Sequence, residues 1–411
     1  MDASQKKTLA FLLPYSAAET TLIVPRGKLP EQLHAEITPA ETPKLLVAGQ
    51  RGMGKTTELK RLVEHLRHSE FLPVFLQFGA QPSISQAGLV EAMAQALYLH
   101  PSSKLDEKSY RQLQEYFFLE EFESVTEEGH TGEAGIGGEY VLISAKKKVQ
   151  RKSLRKTKRT RKPQRDAREL LDRFNTLIQK ARKASDKRVV FIVDDIDKVQ
   201  DASSIENTFI HASHLIGQID CPCIFTVPIT YATSSYLRIA TLPYTGIYRV
   251  PAVELMDVKG SRNNEAFDFM RTVFRLRMPF NPIPPPLLDK ILEYSGGVLI
   301  DAMRMLRGIC KRAILEGTMT VGEAAVEDEF QRLIDDYKFV FDKPLLWQKL
   351  SSMCKAANKQ AIMTDDALPE LLYKMIVIEY WEKKLWFDLH PAARKLYEQN
   401  AQIIETALRP T

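Results

Sequence analysis

The sequence predicts an α/β fold with a parallel sheet, followed by a helical region and a small mixed module. Three observations support this prediction. Short apolar runs alternate with helix-length segments up to about residue 260, a glycine-rich turn follows the first run, and strand patterns then stop until about residue 376. Parallel strands need long crossover connections, so this alternation is typical of a sheet with helices on both faces.

Five apolar runs of the first region are strand candidates, because each is short, apolar and bounded by polar or turn-forming residues. They are KLLVA (44–48), FLPVFLQF (71–78), VVFIV (189–193), CIFTV (223–227) and GIYRV (246–250).

Helical patterns lie between these runs. The segment TTELKRLVEHLRH places its apolar residues Leu59, Leu62 and Leu66 on one helical face. A second helix is predicted over 85–100, where Pro101 ends it, and a third near 204–217.

Residues 101–165 interrupt this rhythm. An acidic stretch and a glycine-rich piece come first, and twelve Lys or Arg without any acid then lie between residues 146 and 165. The net charge of +5 is therefore a property of this one segment. Two structures stay open for it: a charged insertion with a small hairpin, or a partly disordered arm.

The C-terminal part divides into two further predicted units. Residues 261–340 carry helical patterns, and residues 341–411 show the order helix, helix, hairpin, helix of a winged-helix-like module. The expected domains are thus 1–260 with the insertion at about 101–165, then 261–340, then 341–411.

Thiol content and hydropathy indicate the compartment. The four cysteines are scattered and form no CxxC pair, as expected for a reduced intracellular protein. We find no apolar stretch long enough for a signal peptide or for the roughly 20 residues of a membrane span. A cytoplasmic protein without a membrane-embedded part is expected.

A phosphate-binding loop is the most specific motif. The stretch GQRGMGKTT (49–57) fits G-x-x-x-x-G-K-[ST] and lies between a predicted strand and a predicted helix, as phosphate binding requires. Backbone N–H groups of such a loop surround phosphate oxygens, the lysine contacts the β and γ phosphates, and the hydroxyl of the next residue binds Mg²⁺. The predicted nucleotide-binding residues of the loop are Gly49, Gln50, Arg51, Gly52, Met53, Gly54, Lys55, Thr56 and Thr57.

A second motif completes the predicted site. The run VVFIVDDID ends in three aspartates, and Asp194 directly follows the apolar run. A phosphate loop needs an acid at the end of a neighbouring strand to hold Mg²⁺ through water. Asp194 and Thr56 are therefore the predicted Mg²⁺ residues, and Asp197 has no assigned role.

The chain resembles the STAND and origin-recognition-like branch of the AAA+ ATPases. The resemblance rests on AGQRGMGKTTEL, FIVDDIDKV and YSGGVLIDAMRML (294–306) in that order. It implies a bacterial P-loop ATPase of the additional-strand class, with ATP and Mg²⁺ as cofactors and residues 261–340 as a lid. It also implies a nucleotide-driven switch that oligomerises or changes its domain packing. Such a switch would act with a separate effector in signalling or anti-phage defence.

The resemblance further implies roles for single residues. Asp195 would polarise the attacking water, and its short side chain favours slow turnover. Thr226, or Thr230 beyond it, would sense the γ phosphate. Arg238, with Arg249 behind it, would act in trans on a neighbouring subunit's nucleotide.

Two further sets of residues follow from the same resemblance. In the lid, Ile300 stands where a sensor arginine is expected, so Arg304 or Arg307 would replace it. Near the N-terminal end, Val24 and Pro25 would contact adenine, with Arg26 beside them.

Two rival functions remain at the level of sequence. The basic run 146–165 could bind nucleic acid or another polyanion through phosphates, in a salt-dependent way. The chain would then be a nucleic-acid-acting AAA+ ATPase, such as a loader or a regulator of transposition or replication. The alternatives for this run are a solvated or disordered arm, or an arm that pairs with the acidic stretch before it. The other rival is a non-catalytic scaffold that keeps nucleotide for structural reasons.

Overall fold

The computed structural model describes residues 1–13, 22–79, 81–108, 118–121, 140–142, 158–161, 167–233, 243–355, 362, 365–381 and 383–407. Arg238 and most of the basic run 146–165 lie outside these residues.

The described strands number ten. They are β1 (Lys44–Ala48), β2 (Phe71–Gln77), β3 (Phe118–Glu121), β4 (Tyr140–Leu142), β5 (Lys158–Arg161), β6 (Arg188–Asp194), β7 (Cys223–Val227), β8 (Gly246–Arg249), β9 (Val377–Trp381) and β10 (Leu385–Leu389).

A six-stranded sheet in the order β4-β2-β6-β7-β1-β8 forms the centre of the molecule. Every neighbouring pair in it is parallel. The five predicted strand runs all occur in this sheet, so the predicted α/β class is confirmed. The sixth strand, β4, comes from the insertion and extends the edge at β2.

Strand β6, inside the sheet, is buried on both faces. In β6, Phe191 and Val193 face one apolar cluster, whereas Val190 and Ile192 face the other. Continuous apolar runs of this kind are expected where helices cover both sides of a parallel sheet, because every side chain of the strand is then shielded from water.

The described α-helices surround the sheet and form the C-terminal region. They are α1 (Ala3–Phe11), α2 (Leu29–Ile37), α3 (Lys55–Leu66), α4 (Gln86–Leu99), α5 (Ala167–Ser185), α6 (Ala202–Glu206), α7 (Ser213–Gly217), α8 (Ile229–Thr233), α9 (Asn264–Arg277), α10 (Pro285–Tyr294), α11 (Leu299–Glu316), α12 (Glu323–Lys338), α13 (Pro344–Lys355), α14 (Leu368–Tyr373) and α15 (Pro391–Ala407). None of the helices in the described part is long and apolar enough to cross a membrane.

The helix predicted near 204–217 is present, but it is not one regular α-helix. A π-helical segment, Asn207–His211, separates α6 from α7. The Ser204 hydroxyl accepts a hydrogen bond from Ile84 N at 3.0 Å, which ties this region to a distant loop.

The described part of the insertion contains an antiparallel pair. Strand β3 pairs with β5, and the register sets Glu120 opposite Arg159 and Glu121 opposite Lys158. The insertion thus joins its acidic part to its basic part by backbone pairing.

The C-terminal residues show the predicted order of elements. Helices α13 and α14 precede the antiparallel hairpin β9–β10, and α15 follows it. The hairpin is not isolated from the parallel sheet, because Ala252 N, just beyond β8, donates to Glu379 O at 3.0 Å. The winged-helix type and the domain boundaries stay predictions.

Candidate nucleotide-binding site

The loop 49–54 connects β1, in the interior of the sheet, to α3 at its carboxyl edge. Gly52 and Gly54 both have left-handed backbones, with φ of 77° and 94°. Glycine adopts this conformation at little cost, so the loop can curl tightly before α3 begins at Lys55. The strand–loop–helix geometry expected for phosphate binding is present, with Thr56 and Thr57 in the first turn of α3.

Lys55 lies across its own loop. Its Nζ donates to the backbone oxygens of Gly49 at 2.8 Å and Gln50 at 2.9 Å, and it pairs with Asp197 Oδ2 at 2.9 Å. The Lys55 and Asp197 side chains are only 6% and 5% exposed. The sequence assigned no role to Asp197, and the structure makes it the ionic partner of the loop lysine.

Three carboxylates converge beside this lysine. Oxygens of Asp194, Asp195 and Asp197 lie within 4.8 Å of one another. Asp194 is almost fully buried, and neither of its carboxyl oxygens makes a hydrogen bond of ordinary geometry among the described residues. Burial and the neighbouring Asp195 charge raise the pKa of Asp194 to about 6, against the opposing effect of the Thr56 hydroxyl.

These residues fit a Mg²⁺ ion. A buried carboxylate without partners is costly unless a cation or a proton compensates it. Oxygen donors from carboxylates and hydroxyls are the ligands that Mg²⁺ prefers. Asp194 and Thr56 are therefore suited to the role predicted for them.

Asp195 adopts an unusual backbone and is already paired. Its φ of 70° lies in the left-handed region, which Asp tolerates better than most residues. Its Oδ1 contacts Lys198 Nζ at 2.6 Å. Burial of Lys198 is outweighed by this carboxylate, so the pKa of Lys198 is raised. In this structure the predicted water-polarising group is held by a lysine rather than directed freely toward a phosphate.

Thr226 supports the segment 194–197, which carries Asp194, Asp195 and Asp197 and is called the aspartate loop below. Its hydroxyl is fully buried and accepts a hydrogen bond from Ile196 N at 3.3 Å. Thr230, the other candidate, lies in α8 and accepts at its backbone oxygen from the Thr233 hydroxyl. Of the two, Thr226 is the residue that contacts the aspartate loop, and its sensing role stays a prediction.

The segment predicted to lie near adenine is attached to the loop through Arg26. Its guanidinium donates to Met53 O at 3.3 Å, Pro251 O at 2.7 Å and Ala252 O at 2.8 Å. Burial lowers the pKa of Arg26 to about 10. Val24 packs against the core, and Pro25 is exposed. The segment 22–26 is thus beside the loop, where the adenine role assigned to it would require it.

The helical region packs directly on the phosphate loop. A methyl group added at Gly52 would lie 2.1 Å from Ile300 Cγ2 at the start of α11, and Met53 shares an apolar cluster with Ile300. Position 300, where the sequence departs from the expected arginine, is therefore an apolar contact with the loop.

The two arginines proposed to replace the lid sensor lie further along α11. Arg304 is exposed and pairs with Asp301 Oδ1 at 3.3 Å. Arg307 donates to Leu9 O at 3.2 Å and so binds the N-terminal helix α1 instead. Both sensor assignments stay predictions.

The C-terminal module contacts the phosphate loop through Gln50. The Gln50 Nε2 donates to Leu372 O at 2.8 Å and Val377 O at 2.7 Å, and its Oε1 accepts from Glu379 N at 2.9 Å. The Arg51 guanidinium lies 5.4 Å from the Tyr373 ring centroid. The pocket beside the loop is lined by Gly49, Gln50, Arg51, Asp197, Pro228, Ile229, Leu372 and Tyr373. Sequence reasoning missed this contact, because its partners are more than 300 residues away.

Arg249 belongs to the same interface. It donates to the buried Glu379 carboxylate and to Ala232 O, and the Trp381 ring lies 5.9 Å from its guanidinium. The Arg249 guanidinium thus has its partners within its own chain. This arrangement disfavours Arg249 as the second candidate, after Arg238, for an arginine that acts on a neighbouring subunit's nucleotide. Arg238 itself lies outside the described residues.

Comparison with known proteins agrees with this site. Residues 23–206 match the model of the AAA ATPase domain. The matched region contains both the phosphate loop and the three aspartates. The STAND branch and a bacterial source stay predictions.

Several solved structures are similar to the chain, all at low identity. Cdc6p from Pyrobaculum aerophilum is 12% identical with a TM-score of 0.45, over 97% of this chain and 98% of that one. The ORC2 protein of Aeropyrum pernix, in ADPNP–ADP complexes, is 12% identical with a TM-score of 0.46, over 92% and 93%. The Walker-type ATPase paby2304 of Pyrococcus abyssi is 12% identical with a TM-score of 0.49, over 94% and 99%. No curated protein sequence matches the chain.

Proposed function

We propose that this protein is an ATP-binding and ATP-hydrolysing switch in which nucleotide controls the packing of the C-terminal module. The observation that carries the proposal is Gln50. Its side chain makes three hydrogen bonds to the backbone of residues 372–379, while its backbone lies in the phosphate loop. A change in the loop on phosphate binding therefore acts directly on the contact with the module.

The site residues divide the chemistry of ATP between them. Lys55 and the loop backbone bind the phosphates, and Thr56 and Asp194 would hold Mg²⁺. The metal supplies charge neutralisation at the β and γ phosphates. Asp195 orients the attacking water after it separates from Lys198, and Thr226 keeps the aspartate loop in place. Because this separation must come first, we expect slow turnover.

Coupling between nucleotide and the module has to be reciprocal. If docking of residues 372–379 disfavours phosphate binding, then bound phosphate disfavours docking by the same factor. The undocked surface, with the loop and the residues near β8, is where a second copy or a separate partner would bind. In an oligomer of this kind, Arg238 of one copy would act on the nucleotide of the neighbouring copy.

The proposal is tested by ATP binding, turnover and shape together. Wild type and Lys55→Ala are compared by calorimetry with ATP, by phosphate release and by small-angle scattering. We expect wild type to bind ATP, to hydrolyse it slowly and to expand when ATP is saturating. We expect Lys55→Ala to bind ATP more weakly, without hydrolysis and without expansion. Equal ATP binding by both proteins would overturn the nucleotide site, and binding without any change in shape would overturn the switch.

The basic run favours one alternative, a nucleic-acid-acting AAA+ ATPase. Twelve cations between residues 146 and 165 would attract phosphates with a steep salt dependence. Neutralising Lys146, Lys147 and Lys148 should then weaken DNA or RNA binding and flatten its salt slope. Absence of any gel shift at ~50 mM salt, where such contacts are strong, would exclude this alternative.

A further inference from the structure

The partners of the phosphate-loop lysine are fully specified by the structure. An ammonium has three N–H donors. In Lys55 these correspond to three acceptors within 2.9 Å: Gly49 O, Gln50 O and Asp197 Oδ2. No donor is left for a phosphate oxygen in this arrangement. The Lys55 stem also lies across Gly49, with Cδ 3.4 Å from where a Gly49 methyl group would be.

Asp197 is placed for this contact by a short rigid turn. The 3-10 turn Ile196–Lys198 follows the left-handed Asp195. Three interactions hold the turn: Thr226 Oγ1 with Ile196 N, Lys198 Nζ with Asp195, and Lys198 N with Asp195 O. The Asp197 carboxylate therefore reaches Lys55 from a backbone that is itself fixed.

The Lys55–Asp197 pair is also sheltered from water. Both side chains are more than nine-tenths buried, and Asp197 Oδ1 has no hydrogen-bond partner among the described residues. Charges in such surroundings interact more strongly than exposed ions, and separating them without a replacement partner is costly. A nucleotide phosphate is a suitable replacement for the aspartate.

We propose that Asp197 is a positioning residue that holds the Lys55 ammonium on its own loop and so sets the affinity for nucleotide. Phosphate binding exchanges the Lys55–Asp197 pair for a Lys55–phosphate pair. The apparent affinity is then reduced by the fraction of molecules in which Lys55 is free. This inference rests on the ATP site of the proposed function, but it does not depend on hydrolysis or on the C-terminal module.

The first test is nucleotide affinity in Asp197→Asn, measured by calorimetry with ADP and with ATP, each with and without Mg²⁺. We expect about tenfold tighter binding, which corresponds to about 1.4 kcal/mol. The matched control is Asp201→Asn, a change at an exposed helix cap that leaves affinity unaltered. Unchanged or weaker binding by Asp197→Asn overturns the proposal, and weaker binding would show that Asp197 instead supports the productive position of Lys55.

A second test separates this role from simple repulsion between Asp197 and phosphate. In a Lys55→Ala background, the Asp197→Asn change should no longer tighten binding, because there is no ammonium to release. An equal gain in both backgrounds would mean that the carboxylate acts only through its charge. Such a double-mutant cycle isolates the coupling between the two side chains.

A third readout needs no nucleotide. The acetylation rate of Lys55 by an amine-reactive ester, followed by mass spectrometry, reports how often its side chain leaves the Asp197 pair, because only an unpaired, neutral amine attacks the ester and displaces its leaving group. We expect Asp197→Asn to accelerate the acetylation of Lys55 about tenfold, because the variant no longer forms the Lys55–Asp197 ion pair. The acetylation rates of exposed lysines should stay the same. Equal Lys55 rates in wild type and variant would overturn the proposal. If Asp197→Asn fails to fold, Asp197→Ser gives the same comparison.

These tests also distinguish this inference from the proposed function. If wild type binds no ATP, the nucleotide switch fails, while the acetylation comparison still decides whether Asp197 holds Lys55. If wild type binds ATP but the variants show neither tighter binding nor faster acetylation, the role of Asp197 fails and the ATP site stands.

Discussion

Replacing Gln50 with alanine tests the contact between the phosphate loop and the C-terminal module most directly. The variant loses three hydrogen bonds to Leu372, Val377 and Glu379, all of them buried. At about 0.5–1.5 kcal/mol for each bond, docking should weaken by about 2–4 kcal/mol. Alanine keeps the loop backbone, so the phosphate cradle itself is retained.

Amide hydrogen exchange measures this weakening locally. A loss of about 2–4 kcal/mol corresponds to roughly 30- to 900-fold faster exchange where docking limits the opening of β9. We therefore expect peptides covering residues 371–381 to exchange faster, whereas β1 and β6 stay protected. Gln32→Ala, an exposed position on α2, is the matched control. Unchanged exchange over 371–381 in Gln50→Ala would refute the reasoning, because the side chain would then contribute nothing to docking.

The remaining predictions concern packing, charge and catalysis. Gly52→Ala should lower the free energy of unfolding by about 2–4 kcal/mol in urea titrations, because a clash with Ile300 of α11 adds to left-handed strain. Gly260→Ala, with the same left-handed backbone but open space around it, should lose only the strain part. Arg249→Met leaves the Glu379 carboxylate buried without its partner and should cost about 3–5 kcal/mol at pH 8. Burial raises the pKa of Glu379, against the effect of Arg249, so protonation relieves this cost and the loss should be smaller at pH 5. Asp195→Asn should keep ATP binding in calorimetry but lower phosphate release at least about 100-fold.

Each of these predictions has a result that would contradict it. Equal losses at the two glycines would mean that the helical region does not pack on the loop in solution. A greater loss for Arg249→Met at pH 5 than at pH 8 would show that the Glu379 carboxylate is not the buried charge. Near-normal turnover of Asp195→Asn would assign water activation to another group.

The parallel sheet could be predicted because its cause is local. Runs such as VVFIV are apolar throughout, and a strand buried on both faces requires only that. The phosphate loop could also be predicted from the sequence, because its glycines, Lys55 and Thr56 all lie within nine residues. Helix α5 was not predicted, because it follows the charged insertion, whose composition concealed the return to regular structure.

The features that the sequence did not reveal involve contacts distant in sequence. The region of α6 and the π-helical segment is bonded across the fold, because Ile84 N donates to the Ser204 hydroxyl. Arg249 carries no sequence signal that distinguishes a finger acting on a neighbour from an arginine paired within its own chain. Its partner Glu379 comes 130 residues later, on the C-terminal hairpin.

By itself, the sequence determined the sheet, the glycine-rich loop before Lys55 and the aspartate at the end of β6, because periodicity and motif spacing express short-range stereochemistry. Only the tertiary structure decided what the loop contacts. It placed the C-terminal module on Gln50, Ile300 against Gly52, and Asp197 on Lys55. Such contacts depend on how distant segments pack together, and a buried donor or charge takes whichever partner that packing brings within hydrogen-bond distance.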